Sequence, residues 1–130
     1  MIATSQNRQI RQRRQRQIGS LIQQELSGLL ERELHDPRLG FTTVTEVKLS
    51  ADLKCARVYV SVMGDEEDRR KTMVALKQAL GFIRHELACR LELRYMPRIE
   101  FLPDLTLERA ARLEALLDQI NGRTLRGHEP

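Results

Sequence analysis

Apolar residues recur at steps of three and four positions over the first third of the chain. The residues of this stripe are Ile18, Leu21, Ile22, Leu26, Leu29, Leu30 and Leu34. Such spacing places them along one side of an α-helix. Asp36-Pro37 ends the pattern, because proline lacks a backbone N–H and disfavours helical geometry in the residue before it. We therefore predict a long amphipathic helix that ends at this pair.

After this helix the pattern changes to alternation. Residues 41–50 are rich in β-branched side chains, which predicts a strand, and Val44 falls out of phase, which indicates a bulge near Thr45. Residues 55–63 alternate strictly between apolar and polar side chains. The inward-facing set is Ala56, Val58, Val60 and Val62. Because only a short turn separates the two segments, they predict an antiparallel hairpin.

Helical spacing of apolar residues returns between positions 73 and 91. The acidic run at residues 65–68 precedes it and is interpreted as a helix cap rather than a metal site, since carboxylates match the positive end of a helix dipole. Gly81 interrupts the stripe, where glycine costs about 1 kcal/mol relative to alanine. We therefore predict two helices that meet at a kink, with Gly81 in a turn whose backbone angles a β-branched residue cannot easily adopt.

The last third of the chain predicts one more strand and one more helix. Residues 98–102 place Ile99 and Phe101 on one face of a strand. Residues 107–120 carry leucines at helical spacing, and Asn121-Gly122 is expected to end that helix.

The predicted order is therefore α-β-β-α-α-β with an additional C-terminal helix. A strand–helix–helix–strand crossover lays its helices on one face of a three-stranded sheet, which makes an α+β sandwich of two layers. We expect three phenylalanines in the core, namely Phe41, Phe82 and Phe101. The opposite sheet face is expected to stay open and to carry Lys48, Arg57, Tyr59, Arg98 and Glu100.

Length and chain ends define the domain organisation. A chain of 130 residues suffices for one domain with a core and is too short for two independent ones. We predict a flexible basic arm at residues 1–13, one domain at residues 14–122 that includes the C-terminal helix, and a flexible tail at residues 123–130.

Charge is distributed unevenly along the chain. The formal net charge is +4, from 22 Lys and Arg against 18 Asp and Glu, with a sequence pI of about 9.5. Residues 1–16 hold five arginines and no acid, and these are Arg8, Arg11, Arg13, Arg14 and Arg16. This run is either an arm that settles on phosphates or an exposed first part of the long helix; mutual repulsion of the arginines favours the arm. The pattern points to a polyanion, with nucleic acid ahead of an anionic membrane.

A second basic block lies at residues 69–98, with eight basic and two acidic residues. The candidate RNA contacts here are Lys77, Arg84, Arg90, Arg94 and Arg98, joined by Arg57 of the open sheet face. Lys77, Arg84 and Arg94 flank the predicted kink and the exit of the second helix, and are expected to converge on one surface. Each is alternatively a solvated helix position, which is the default for an exposed charge. Tyr59 and Tyr95 are the plausible candidates for base stacking.

Several classes of protein are not supported by the sequence. No apolar run approaches the roughly 20 residues of a membrane span, and the N-terminus lacks a secretory signal, although its arginines superficially suit a mitochondrial presequence. Cys55 and Cys89 lack metal or redox spacing and are expected to be reduced, buried thiols. No nucleophile motif or phosphate-binding glycine loop occurs. We expect a cytoplasmic binding protein that is not an enzyme and needs no cofactor or metal.

Several segments together resemble ribosome-binding factor A of bacteria. They are residues 36–40 (DPRLG), 44–47 (VTEV), 56–61 (ARVYVS), 79–84 (ALGFIR), 93–97 (LRYMP) and 107–109 (LER). The resemblance covers about residues 14–120 in the correct order. It implies a KH-like fold of type II, in which an Ala-x-Gly kink, here Ala79-Leu80-Gly81, replaces the usual glycine loop.

The resemblance also implies a function. Members of this family are assembly factors that bind the free 30S ribosomal subunit and its 16S rRNA, assist late maturation, including 5′-end processing of the 16S precursor, and support growth in the cold. We expect a monomer without membrane association. The alternatives are a general KH-type single-stranded RNA-binding protein and an rRNA-processing nuclease.

Two features depart from the family's pattern. The usual Leu-Glu-Arg-Gly-Asn-Arg segment has Ala110-Ala111 in place of Gly-Asn. The arm before Arg14 is also longer and richer in arginine than the family requires.

Overall fold

Four helices and three strands follow one another in the predicted order. A computed structural model describes the chain except residues 1, 33, 35, 40, 41, 129 and 130, and describes side-chain surroundings only between residues 7 and 122. The elements are α1 (Ile2–Arg32), a short 3-10 turn (Pro37–Leu39), β1 (Thr42–Leu49), β2 (Cys55–Val62), α2 (Glu66–Gln78), α3 (Leu80–Arg90), β3 (Arg98–Pro103) and α4 (Thr106–His128).

The three strands form one sheet in the order β1-β2-β3. β1 pairs antiparallel with β2, and the register shifts between Val44 and Glu46, which confirms the predicted bulge at Thr45. β2 pairs parallel with β3. A parallel pair needs a crossover connection, and α2 with α3 supplies it.

The core lies between the helices and one face of the sheet. The fully buried side chains are Ile22, Leu26, Leu29, Ala56, Val58, Val60, Leu76, Ile83 and Leu87. They come from α1, β2, α2 and α3, so the predicted apolar stripes meet in one layer. This confirms the α+β sandwich and the inward-facing set of the central strand.

Gly19 allows α1 to approach β1 closely. A Cβ atom at this position would lie 3.0 Å from the carbonyl oxygen of Val47. Since backbone atoms of a packed strand move little, Gly19→Val is expected to destabilise the fold by about 1–3 kcal/mol. Chemical denaturation followed by circular dichroism measures this loss. The control is Gly28→Ala in the same helix, where a Cβ would meet nothing within 4 Å; an equal loss in both variants would contradict the explanation.

The two central helices meet at Ala79. This residue ends α2 and begins α3 with φ −84° and ψ 0°, and its N–H donates to the carbonyl of Ala75. The helices therefore break where the kink was predicted. The conformational role given to Gly81 is wrong, because this residue has no positive φ and a Cβ there would meet nothing within 4 Å.

Three further details of the sequence prediction are wrong. Phe82 is 45% exposed rather than in the core, because the α3 face that packs inward carries Ile83 and Leu87. Cys89 is exposed rather than buried, while Cys55 is partly buried. The last helix does not end at Asn121-Gly122 but continues to His128. Glycine is tolerated inside a helix at a cost of about 1 kcal/mol relative to alanine, so Gly122 does not by itself end α4.

α4 projects its leucines into solvent. Leu113, Leu116 and Leu117 are 49–58% exposed. The start of the helix is fixed to the domain: Arg69 of α2 forms an ion pair with Glu108, and Asp104 accepts hydrogen bonds from Thr106 in the first turn. The leucines whose spacing predicts this helix therefore lie outside the core.

Candidate nucleic-acid interface

The predicted charged side chains of the open sheet face are exposed and Tyr59 is half-buried, but acidic neighbours offset the positive charge of this face. Arg57 Nε lies 4.0 Å from Glu100 Oε2. Lys48 Nζ lies 5.6 Å from the ring centroid of Tyr59 and 3.9 Å from Glu46 Oε1. Exposed pairs of this kind interact weakly, yet they leave little net charge for a polyanion.

The predicted basic positions of the second block have different surroundings. Arg90 pairs with Glu25 of α1 at 3.9 Å and with Glu86 at 3.7 Å, so it connects α3 to α1. Lys77 lies in a shallow depression of α2 beside Arg69 and Arg70. Two further predicted contacts, Arg84 of α3 and Arg98 of β3, are exposed.

The arginines of the N-terminal segment project from a helix. α1 has helical backbone from Ile2 onward, and successive side chains point about 100° apart. All five arginines are exposed, namely Arg8, Arg11, Arg13, Arg14 and Arg16. The Gln15 side chain donates to the carbonyl of Leu49 at 3.2 Å, which fixes this part of α1 to the end of β1. The flexibility of residues 1–13 stays a prediction.

A cavity at the end of the sheet brings three separate parts of the chain together. We call it the hairpin pocket; its volume is about 610 Å³, and it is lined by Arg14, Ile18, residues 52–54 of the β1–β2 turn and residues 93–97 of the α3–β3 loop. The parallel pairing of β2 and β3 aligns the turn with the loop, since the Arg98 N–H donates to the carbonyl of Lys54 at 2.8 Å. Arg94 therefore shares a cavity with Arg14 and Lys54 rather than with Lys77.

The chemistry of the hairpin pocket is mixed. Arg14, Lys54 and Arg94 give it three cationic side chains, and Asp52 gives it one carboxylate. The hydroxyl of Ser50 donates to Asp52 and holds the pKa of that carboxyl below its usual range, with a smaller contribution from the Lys54 N–H. Asp52 is therefore ionised at neutral pH, and the lining keeps a positive charge.

Sequence reasoning missed Lys54, Asp52 and Leu53 as members of a site. It identified Arg14, Arg94 and Tyr95 one by one, but local spacing does not show that the β1–β2 turn lies against the α3–β3 loop. The predicted crossover between β2 and β3 could have indicated this site, because parallel pairing brings the start of β2 beside the start of β3.

A second polar cluster fixes the start of α4. Because Thr45 is the bulged residue, its hydroxyl reaches across the sheet and donates to Asp104 Oδ2 at 2.6 Å. The other carboxylate oxygen accepts from the N–H of Thr106 at 3.0 Å and from its hydroxyl. These bonds lower the pKa of Asp104 to about 2, with the Thr106 hydroxyl as the largest cause.

The Asp104 cluster predicts an acid-sensitive contribution to stability. A carboxyl whose folded pKa is depressed stabilises the fold above its unfolded pKa, near 4, and this contribution disappears as the pH falls toward 2. We expect Asp104→Asn to have a lower Tm than the parent at pH 7, with the difference narrowing between about pH 4 and pH 2. Thermal denaturation across pH measures it. Asp118→Asn in exposed α4 is the control, and a difference independent of pH would contradict the assignment.

Comparison with known proteins decides the family. The family model of ribosome-binding factor A matches residues 14–117, which is more than half of the chain. The chain belongs to the ribosome-binding factor A family. The match includes every residue of the hairpin pocket and begins at Arg14, so Arg8, Arg11 and Arg13 lie outside it.

Individual members of the ribosome-binding factor A family agree with this assignment. The protein from Heliobacterium modesticaldum is 48% identical over 107 residues, which cover 82% of this chain and 88% of that protein. The crystal structure from Thermus thermophilus is 34% identical with a TM-score of 0.62, covering 68% of this chain and 93% of that one. A homology model of the Thermus factor, fitted into a cryo-EM map of its complex with the 30S subunit, is 35% identical with a TM-score of 0.56 and covers 66% of this chain and 90% of that one.

The described residues contain neither a membrane-spanning helix nor a cluster of metal-ligating side chains. Within that part of the chain, no helix combines the length and the apolar character that crossing a membrane requires. In the same residues, no group of three His, Cys, Asp or Glu side chains is placed to hold a metal ion.

Proposed function

We propose that this chain is a monomeric, non-catalytic assembly factor that binds the 30S subunit through its 16S rRNA in the cytoplasm. The observation that carries the proposal is the convergence of Arg14, Lys54 and Arg94 on one pocket of the family's fold. Membership of the ribosome-binding factor A family and the 30S complex formed by the Thermus relative support it.

The proposed mechanism is recognition of folded rRNA by charge and shape. Phosphates bind the rim of the hairpin pocket and the exposed arginines of α1, where neutralising them releases counterions. Arg57 and Arg90 contribute less, because Glu100 and Glu25 already lie beside them. Binding of this kind stabilises one conformation of the rRNA without bond cleavage, which suits a role in late maturation and in preparing the precursor 5′ end for processing by other enzymes. Support of growth in the cold would follow from that role.

Sedimentation with purified subunits tests the proposal. The protein is mixed with isolated 30S subunits, 70S ribosomes or duplex RNA and separated on sucrose gradients over a series of salt concentrations. We expect it to sediment with 30S subunits, and log affinity to fall linearly with log salt, with a slope of about −0.7 to −0.9 per phosphate contact. Sedimentation with 70S ribosomes but not with isolated 30S subunits would overturn the proposal.

Two further RNA substrates, a short single-stranded RNA and precursor rRNA, separate the alternatives. Equal affinity for short single-stranded RNA and for 30S subunits would favour a general single-stranded RNA-binding protein. Cleavage of precursor rRNA by the purified protein in the presence of Mg²⁺ would favour a nuclease. The first assay measures binding affinity and the second measures RNA cleavage products, so the two alternatives give different results.

A further inference from the structure

The hairpin pocket combines an apolar floor with a cationic rim. The apolar lining residues are buried or half-buried and form the floor, namely Ile18, Leu53, Leu93, Met96 and Pro97. The charged lining residues are exposed and form the rim, namely Arg14, Lys54, Arg94 and the single carboxylate Asp52. A volume of about 610 Å³ is in the range of small-molecule sites and exceeds what one side chain fills. Apolar surface beside an excess of positive charge matches a nucleotide, in which an aromatic base is joined to an anionic phosphate.

We propose that this pocket takes one unstacked nucleobase of a single-stranded RNA segment, with the base on the apolar floor and the flanking phosphates on the rim. The proposal deepens the proposed function and rests on it. A duplex does not fit this chemistry, because its bases are paired and stacked, whereas single-stranded segments can turn a base outward onto an aromatic side chain.

Leu53 provides the first argument that the pocket is built for a ligand. It is the one non-glycine residue with a positive φ in the part of the chain that the structure describes, at 60°. A left-handed backbone is unfavourable for leucine and ordinary for glycine or asparagine. The turn itself would therefore favour glycine, yet leucine places an apolar side chain in the pocket. Strain of this kind concentrates at functional sites.

Tyr95 provides the second argument. Its side chain is 77% exposed although it borders an apolar cavity. The guanidinium of Arg94 lies 5.7 Å from its ring centroid, within the range of a cation–π contact. A base stacked on this ring would have a cation next to it for its phosphate, the arrangement by which single-stranded nucleic acids are bound.

The position of the pocket separates it from the α2–α3 junction. None of residues 79–81 lines it. The junction lies at the other end of α3, a helix of 11 residues and therefore about 16 Å long. The proposed nucleobase site is thus distinct from the α2–α3 junction, where the family resemblance implies a kink in place of the usual glycine loop.

The first experiment observes Tyr95 directly. The chain has two tyrosines and no tryptophan, so protein made with 3-fluorotyrosine gives two ¹⁹F resonances, and Tyr59→Phe assigns the one from Tyr95. The probes are a six-nucleotide single-stranded RNA and an oligomer of equal length that carries its phosphates on abasic units. We expect the RNA to shift the Tyr95 resonance and to bind about five- to hundredfold more tightly than the abasic oligomer. Equal affinity and equal shifts with both would overturn the proposal.

The second experiment separates a role in binding from a role in folding. Leu53→Gly relieves the strained backbone, so we expect it to melt at or above the parent's temperature while its affinity for the RNA hexamer and for 30S subunits falls. Ala51→Gly, in the same turn but outside the pocket lining, is the control and should bind like the parent. Tyr95→Ala should lose affinity, and Tyr95→Phe should keep it, since the ring rather than the hydroxyl stacks.

These results distinguish failure of the nucleobase site from failure of the proposed function. If the parent does not sediment with 30S subunits, the proposed function is wrong. If the parent binds 30S subunits and both Leu53→Gly and Tyr95→Ala bind them equally well, the nucleobase site is wrong and the proposed function stands.

Discussion

Reversing the charges of Arg14 and Arg94 together is expected to lower the affinity for 30S subunits by about tenfold or more at physiological salt. The two side chains come from different elements but share the hairpin pocket. Each phosphate contact contributes about one unit to the salt dependence of binding, so the double variant Arg14→Glu/Arg94→Glu should also show a slope smaller by about two. Sucrose-gradient or filter-binding titrations over a salt series measure both quantities.

A matched double variant makes this result specific. Lys71→Glu/Arg112→Glu changes the net charge by the same amount at exposed positions of α2 and α4 outside the pocket. We expect it to bind within about threefold of the parent. Equal losses in both double variants would mean that overall charge, rather than the pocket, governs binding. The melting temperatures of both variants should stay close to that of the parent, because substitutions of exposed residues rarely change stability by more than about 0.5 kcal/mol.

The spatial neighbours of Arg94 could not be predicted from the sequence alone. The charge pattern identified both residues as candidate RNA contacts, and it grouped Arg94 with Lys77 and Arg84 because these flank the kink along the chain. The structure instead places Arg94 beside Arg14 and Lys54. That neighbourhood depends on the parallel pairing of β2 with β3, which is a long-range contact and leaves no trace in local spacing.

The fold was more predictable than the site, since periodicity reports which face of an element is apolar. It identified the buried stripes of α1 and α3 and the alternation in β2, and the phase change at Val44 revealed the bulge. Periodicity does not report what packs against an apolar face. The leucines of α4 have the same spacing as those of α1 and are nevertheless exposed.

Glycines illustrate the same limit at the level of single residues. The sequence singled out Gly81 because it interrupts an apolar stripe, but Gly81 lies in α3 with free space around it. No feature of the sequence pattern distinguishes Gly64, yet its φ is +127°. A glycine is required where its backbone angle is positive or where a neighbour is too close, and neither property can be read from its position in a pattern.

Gly64→Ala is expected to be the most destabilising of the single substitutions considered, with a loss of about 2–4 kcal/mol. Alanine strains a backbone at positive φ by about 1–2 kcal/mol. Its Cβ would also collide with Asp68 Oδ2 and lie 2.9 Å from Asp68 Cβ, so Asp68 has to move. Asp68 accepts from the Asp65 N–H at 3.0 Å, and Asp65 in return accepts from the Asp68 N–H at 2.8 Å. Moving Asp68 breaks this capping box at the start of α2, which costs about 1 kcal/mol more.

Denaturation with urea measures this loss, and two further variants identify its cause. Gly81→Ala adds the same methyl group at a helical position with open space and should gain about 0.4–1 kcal/mol. In an Asp68→Ala background much of the crowding at Gly64 is gone and half of the capping box is already lost, so Gly64→Ala should cost less there than in the parent. Because the two residues are in contact, their effects should not add. If Gly64→Ala lowers the free energy of unfolding equally in both backgrounds, the cost comes from the backbone angle alone. That result would contradict the role given to Asp68.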